Sequence, residues 1–165
     1  MRKWLVAGGL LEGPEGILLV QNRRRDGSLD WSPPGGVIEV DDGESLADGL
    51  TREVWEETGL HVTEWAGPIY RVEAVAPEAG WHLRAEVHLA ASFRGELSPG
   101  DPDGIVVDAR FVDPSGCAGH LESNHVWVRE PLGAWLIERW ADVRSYRYTV
   151  NGPRAGAYTV VPETP

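Results

Sequence analysis

Short apolar runs at Trp4 to Leu11 and Ile17 to Gln21 flank Glu12-Gly13-Pro14-Glu15-Gly16. Dense turn chemistry between two such runs predicts a strand, a turn and a strand. Asn22 to Pro34 reads as a loop that ends in Trp31-Ser32-Pro33-Pro34-Gly35-Gly36. Its two prolines stiffen a bend, and its two glycines leave a bare backbone that a ligand can approach closely. From Ser45 to Thr58 the spacing becomes helical, with Leu46, Ala47, Leu50 and Val54 on one stripe. Ser45 with Asp48 three residues later fits a capping box, and Gly59 before Leu60 fits a left-handed stop. Gly49 inside that helix costs about 1 kcal/mol relative to alanine, which predicts close packing there. Strands are expected at Ile69 to Val75, His82 to Phe93 and Ile105 to Val112, and a second helix at Pro131 to Val143, with proline in its first turn. Tyr146 to Val150 and Ala157 to Val161 read as a terminal hairpin, so the C-terminal helix and hairpin together occupy 131–161.

The chain has 165 residues, a length expected for a single domain over 1–165. At this size a core forms without disulfides or a structural metal, in keeping with one cysteine, Cys117. With 15 Lys and Arg against 26 Asp and Glu, the net charge is −11. Binding a nucleic-acid polymer needs clustered positive charge, so no nucleic-acid polymer is expected as a partner. Arg23, Arg24 and Arg25 form the only basic cluster. It is read as a solvated turn, with a contact to a small phosphorylated ligand as the alternative. No apolar stretch reaches the roughly 20 residues of a membrane span, so no membrane partner is expected. Gly8-Gly9 and Glu12 interrupt the N-terminal run, which argues for a buried strand rather than a signal peptide. The expected location is cytoplasmic.

One segment concentrates carboxylates: Glu44, then Arg52-Glu53-Val54-Trp55-Glu56-Glu57-Thr58-Gly59-Leu60. With Glu53 at 0° on a helix, Glu57 falls at about 40° and Glu56 at about −60°, so all three share one edge. Such a group repels itself and also opposes the helix dipole at the C-terminal end. Both costs point to a bound cation, and hard oxygen ligands favour Mg²⁺ or Mn²⁺ over zinc. Arg52 can brace Glu44 or a neighbour by a bidentate bond.

These residues resemble the signature of the Nudix hydrolases: glycine, five residues, Glu, seven residues, Arg-Glu, an aliphatic residue, any residue, Glu-Glu, any residue, Gly and an aliphatic residue. From Glu44 to Leu60 the fit is complete. Six identities at set spacing arise by chance roughly once in a million starts. Upstream, seven residues rather than five separate Gly36 from Glu44, so Val40-Asp41-Asp42-Gly43 contains a two-residue insertion in a box that runs over 36–60. The resemblance implies an α+β fold, a Nudix-type α/β/α sandwich with a mixed β-sheet. It implies Glu53, Glu56 and Glu57 as metal ligands, with the Gly36 carbonyl joining them. The catalytic set it implies is Arg52, Glu53, Glu56 and Glu57, the base being one of these carboxylates or a later one. Asp101, Asp103 and Glu86 are the later candidates.

The activity implied is Mg²⁺-dependent hydrolysis of a nucleoside diphosphate linked to another moiety, ADP-ribose or another sugar nucleotide being favoured, with release of a nucleoside monophosphate. Hydrolysis of oxidised nucleoside triphosphates and a non-catalytic nucleotide-sensing domain are the alternatives. A homodimer is possible through the terminal hairpin. Trp31 and Trp81 are placed for base stacking, with Trp31 and Asp103 as substrate-binding candidates, while Trp55 is expected to pack. The five histidines lack metal spacing.

Overall fold

The structure, a computed structural model, describes residues 1–163. Six strands form one mixed sheet: β1 (Arg2–Leu10), β5 (Gly35–Val37), β6 (His61–Ala76), β7 (Trp81–Arg94), β9 (Arg144–Asn151) and β10 (Thr159–Glu163), in the order β10-β9-β6-β7-β1-β5. The β1–β7 and β6–β9 pairs are parallel and the others antiparallel. A smaller antiparallel sheet contains β2 (Glu12–Gly13), β3 (Gly16–Arg23), β4 (Leu29–Ser32) and β8 (Val106–Val112), with β3 between β4 and β8. The helices are α1 (Leu46–Thr58), α2 (Pro114–Leu121) and α3 (Val126–Glu138).

Side-chain alternation divides the interior. On β3, Leu18 and Val20 join Ala7, Leu11, Leu50 and Val54 under α1. Ile17 and Leu19 face the opposite core, with Leu132 and Trp135 of α3. A strand buried on both faces explains the unbroken apolar run Ile17 to Val20. Leu50 and Val54 are fully buried. Burying an aliphatic side chain this way stabilises the fold by roughly 1.5–3 kcal/mol, which pins α1 to the sheet.

Four features differ from the sequence expectation. The helix expected at Pro131 to Val143 begins at Val126 and ends at Glu138, and Pro131 lies inside it. Burial of Trp127, Pro131, Leu132 and Trp135 on one side outweighs the lost N–H bond. The stop is Arg139 in the left-handed region (φ 51°), held by a bidentate pair with Glu12 at 2.8 and 2.9 Å. The helix α2 was not expected from the sequence, and its signal was Asp113, whose side chain caps Ser115 N–H, before Pro114. Finally, β4 lies within the expected loop 22–34, and β6 starts at His61 rather than Ile69. The register of β6 against β7 shifts repeatedly between Val62 and Tyr70, and those irregularities hide the period in the sequence.

Candidate active site

Helix α1 is fixed at both ends. The Ser45 side chain accepts from Asp48 N–H, and Gly59 closes the helix at φ 78° with its N–H on the Trp55 carbonyl. The chain after β7 returns to this end, where Ser98 N–H donates to the Thr58 carbonyl at 2.7 Å and Gly100 N–H to the Glu57 carbonyl at 3.2 Å. Two of the carbonyls left open by the helix end are thereby satisfied.

The carboxylates on this helix meet the glycines of β5. Gly35 N–H donates to Glu57 Oε1 at 2.8 Å. Gly35 has no alternative, because a Cβ there would lie 2.0 Å from the Ala7 carbonyl oxygen. A Cβ on Gly36 would lie 2.8 Å from the Glu53 carboxyl carbon. The two-residue insertion is absorbed by a 3-10 turn at Val40–Asp42 that Gly43 ends at φ 78°. Ile38, which precedes the turn, keeps its buried place and its N–H bond to the Leu5 carbonyl. Gly36 therefore remains beside Glu53. Gly49 shows the expected close packing, since a Cβ there would lie 2.9 Å from Ile38 Cδ1 and 2.7 Å from Glu44 Oε1.

Arg52 supplies the positive charge. It donates to both oxygens of Glu44 at 2.9 and 3.0 Å, to Glu53 at 3.0 Å and to Glu56 at 3.3 Å. The Arg52 bonds hold Glu44 below the usual carboxylate range, and Arg52 itself is shifted up. Glu53 moves the other way, since burial raises its pKa despite Arg52. Glu57 is only 6% exposed, and burial together with the charges of Glu53, Asp101 and Glu56 pushes its pKa up to about 8 against the Gly35 hydrogen bond.

Of the later carboxylates, the structure brings Asp101 toward this group, close enough to raise both Glu53 and Glu57. Its oxygens also accept from the N–H groups of Asp103, Ile105 and Val106 at 3.1 to 3.4 Å. Asp103 is exposed and serves that turn through its backbone. Glu86 shares a sheet row with Ala7 and Gly36 but pairs with Arg71 and His88. Trp31 lies on the face of β4 opposite the carboxylates, against the α3 core, with Arg110 over its ring and the His120 ring edge-on to it at a centroid distance of 5.2 Å. Trp81 packs among Trp4, Trp127 and Tyr158. Trp55 does not pack as expected; it is 58% exposed because its place on α1 faces away from both sheets.

Sequence reasoning missed the residues next to Trp31. Asp30 and Ser32 lie on the α1 face of β4, where Asn22 donates to Asp30 at 3.0 Å and to Ser32 at 2.9 Å. The signal was the period-two series Leu18, Val20, Asn22, which places a polar residue where the buried face continues. A separate groove of about 390 Å³ on the open face of the six-stranded sheet, lined by Arg71, Glu73, Arg84 and Glu86 among others, contains none of the α1 carboxylates.

A capped helix presenting Arg-Glu and Glu-Glu against a glycine pair agrees with the comparison to known proteins, in which residues 2–136 match the NUDIX domain model. The chain belongs to the Nudix family. A stretch of 87 residues is 33% identical to the human m7GpppN-mRNA hydrolase NUDT17, covering 48% of this chain and 26% of that protein. A stretch of 54 residues is 44% identical to a MutT-like protein of Streptomyces ambofaciens, covering 33% of this chain and 32% of that one. The matches thus span about a quarter to a third of those relatives' length. Among solved structures, the E. coli ORF135 protein superposes with a TM-score of 0.68 at 22% identity, covering 86% of this chain and 96% of that one. The MutT protein of Methanosarcina mazei Go1 gives 0.67 at 20% identity, over 85% of this chain and 97% of that one. At such identities these two share the fold, the mixed sheet between helices.

Nudix hydrolases generally use divalent metals. Among the described residues no three Asp, Glu, His or Cys side chains gather closely enough to hold an ion as they stand; Glu53 and Glu56 are turned to Arg52 and Glu57 to Gly35. The donor set nonetheless fits a hard divalent cation: three carboxylates and a bare glycine backbone, around one carboxyl whose pKa burial and then its anionic neighbours raise.

Proposed function

We propose that this chain is a cytoplasmic Mg²⁺-dependent pyrophosphohydrolase, with Mn²⁺ as a possible substitute, that cleaves a nucleoside diphosphate linked to another moiety and releases a nucleoside monophosphate. The observation that carries this reading is the edge of α1, where Glu53 and Glu57 face Gly35-Gly36 and Arg52 ties Glu44, Glu53 and Glu56 together. Glu53, Glu56 and Glu57, with the Gly36 carbonyl, would hold the metal, which when bound neutralises the diphosphate and makes a coordinated water more acidic. Arg52 keeps the carboxylates aligned. Glu56 has the most exposed side chain of those Arg52 holds, so it accepts the proton of the attacking water. That water adds to one phosphorus in line with the bridging oxygen, and the bond to that oxygen breaks.

A sugar nucleotide such as ADP-ribose is the favoured substrate class, and an oxidised nucleoside triphosphate is the alternative within the same chemistry. The activity for which the human relative is named makes a methylated dinucleotide cap a third member of the panel. The net charge of −11 disfavours tracking an RNA backbone, so the substrate is taken as a free nucleotide. Two copies would pair through the β9–β10 hairpin. The experiment is to incubate the protein with ADP-ribose, other sugar nucleotides, dinucleoside polyphosphates, a cap dinucleotide and oxidised triphosphates, with and without Mg²⁺, and to identify products by mass. Metal-dependent release of a nucleoside monophosphate is expected. No product from any member, alongside clear Mg²⁺ binding, would replace this reading with a nucleotide sensor.

A further inference from the structure

Asn22 stands at the end of β3 on the α1 face, 6% exposed. Both hydrogens of its amide are spoken for, one by Asp30 Oδ1 at 3.0 Å and one by Ser32 Oγ at 2.9 Å. Asp30 can only accept, so the amide cannot be turned the other way. Asp30 is in turn held by Arg24 through Nε at 2.6 Å and Nη2 at 2.8 Å. The four residues form a chain, Arg24 to Asp30 to Asn22 to Ser32, that fixes one atom in space. That atom is Asn22 Oδ1, which has no hydrogen-bond partner among the described residues. It is not sealed inside the protein either, because the one fully buried side-chain atom without a partner among those residues is His82 Nε2.

Two routes along the backbone lead from this carbonyl to the carboxylates. Ser32 is followed by Pro33, Pro34 and then Gly35, whose N–H holds Glu57. On the other side Asn22 pairs with Val106 of β8, and the Asp101 carboxylate accepts from the N–H groups of Ile105 and Val106. An oriented acceptor, on a side chain nine-tenths buried, with acidic groups on both sides, favours an N–H or O–H donor and rejects a second acceptor. A strand-end amide that merely joined β3 to β4 would need its two donors and nothing from Oδ1.

Resting on the pyrophosphohydrolase reading, we infer that Asn22 is a specificity-determining residue whose Oδ1 accepts a hydrogen bond from the nucleoside part of the substrate, a base N–H or a ribose hydroxyl. A site built to pair one donor discriminates strongly against an analogue lacking it, because its own polar group is left unpaired.

The test is binding, not turnover. AMP, GMP, CMP, UMP and their 2′-deoxy counterparts are titrated with Mg²⁺ into the wild type while the Asn22 side-chain amide signals are followed by NMR. Those signals are expected to move with the tightest ligand, and Asn22→Leu is expected to weaken that ligand about tenfold. A loss that depends on the base assigns the donor to the base, and a loss confined to the ribonucleotides assigns it to the 2′-hydroxyl. The inference is overturned if the Asn22 signals stay in place while a nucleotide binds, if Asn22→Leu binds within twofold of wild type, or if none of the eight nucleotides binds. Should Asn22→Leu fail to fold, the wild-type signals decide alone. A wild type that binds nucleotides through Asn22 but cleaves none would remove the hydrolase reading and keep this one; cleavage with Asn22 uninvolved would do the reverse.

Discussion

At Gly36 the site leaves no room for a side chain: a Cβ there would come within 2.8 Å of the Glu53 carboxyl carbon. The backbone there is not one that only glycine adopts, so Gly36→Ala adds a methyl group without backbone strain. We expect Gly36→Ala to lower kcat at least tenfold by displacing the Glu53 carboxylate while changing the unfolding free energy by no more than about 1 kcal/mol; steady-state kinetics beside a denaturant titration checks both. Residue identity was legible in the sequence wherever the signature fixes it, as at Arg52, Glu53, Glu56 and Glu57. It was not legible where the face of a strand decides. Trp31 has the right chemistry for stacking, but it alternates with Asp30 and Ser32, and the β3–β4 register turns those two, not the ring, toward α1.

At the scale of elements, α1 was legible because local rules suffice for it: a serine cap, an apolar stripe and a left-handed glycine. That stop can be tested. A side chain at Gly59 would meet both a φ of 78° and the Ser98 Cβ at 3.0 Å, so Gly59→Ala should cost about 1–2 kcal/mol by chemical denaturation. Helix α3 was misplaced because Pro131 reads as a first-turn proline, and only tertiary burial of Trp127 and Leu132 reveals a start one turn and more upstream. Its end depends on Glu12 reaching Arg139. The Arg139 hydrogen bond, the largest cause, holds Glu12 below its ordinary value of 4.5. A depressed carboxylate adds stability above its unfolded pKa and loses it as pH falls through the lower folded value. Glu12→Gln should therefore be slightly less stable than wild type at pH 7, by about 0.5 kcal/mol or less for so exposed a pair, and equal to it near pH 2. A gap that widened on acidification would contradict this account.

For the molecule as a whole, the sandwich puts the acidic edge of α1 where two sheets meet: β5 of the larger one supplies the glycines, and β3, β4 and β8 of the smaller one supply Asn22, Asp30, Ser32 and the turn at Asp101. None of that convergence can be read from a single segment, which is why the helix, Gly36 and Asp101 were predicted and Asn22, Asp30 and Ser32 were not. Burial, with the charges of neighbouring carboxylates added to it, raises the pKa of Glu53 and of Glu57, so this edge lacks compensating positive charge. Mg²⁺ at millimolar concentration is accordingly expected to raise the thermal midpoint by several degrees, reversibly on chelation, through preferential binding to the native state. An unchanged midpoint across a Mg²⁺ titration would argue that no ion binds there.

The most direct test of the hydrolytic edge is paired turnover of wild type and Glu57→Gln on the best nucleotide of the panel, at saturating Mg²⁺. The substitution keeps the acceptor for Gly35 N–H and removes a charge that burial disfavours. The account predicts a loss of at least a hundredfold in kcat, and, measured without Mg²⁺, a thermal midpoint equal to or above that of wild type; activity within threefold of wild type would contradict it.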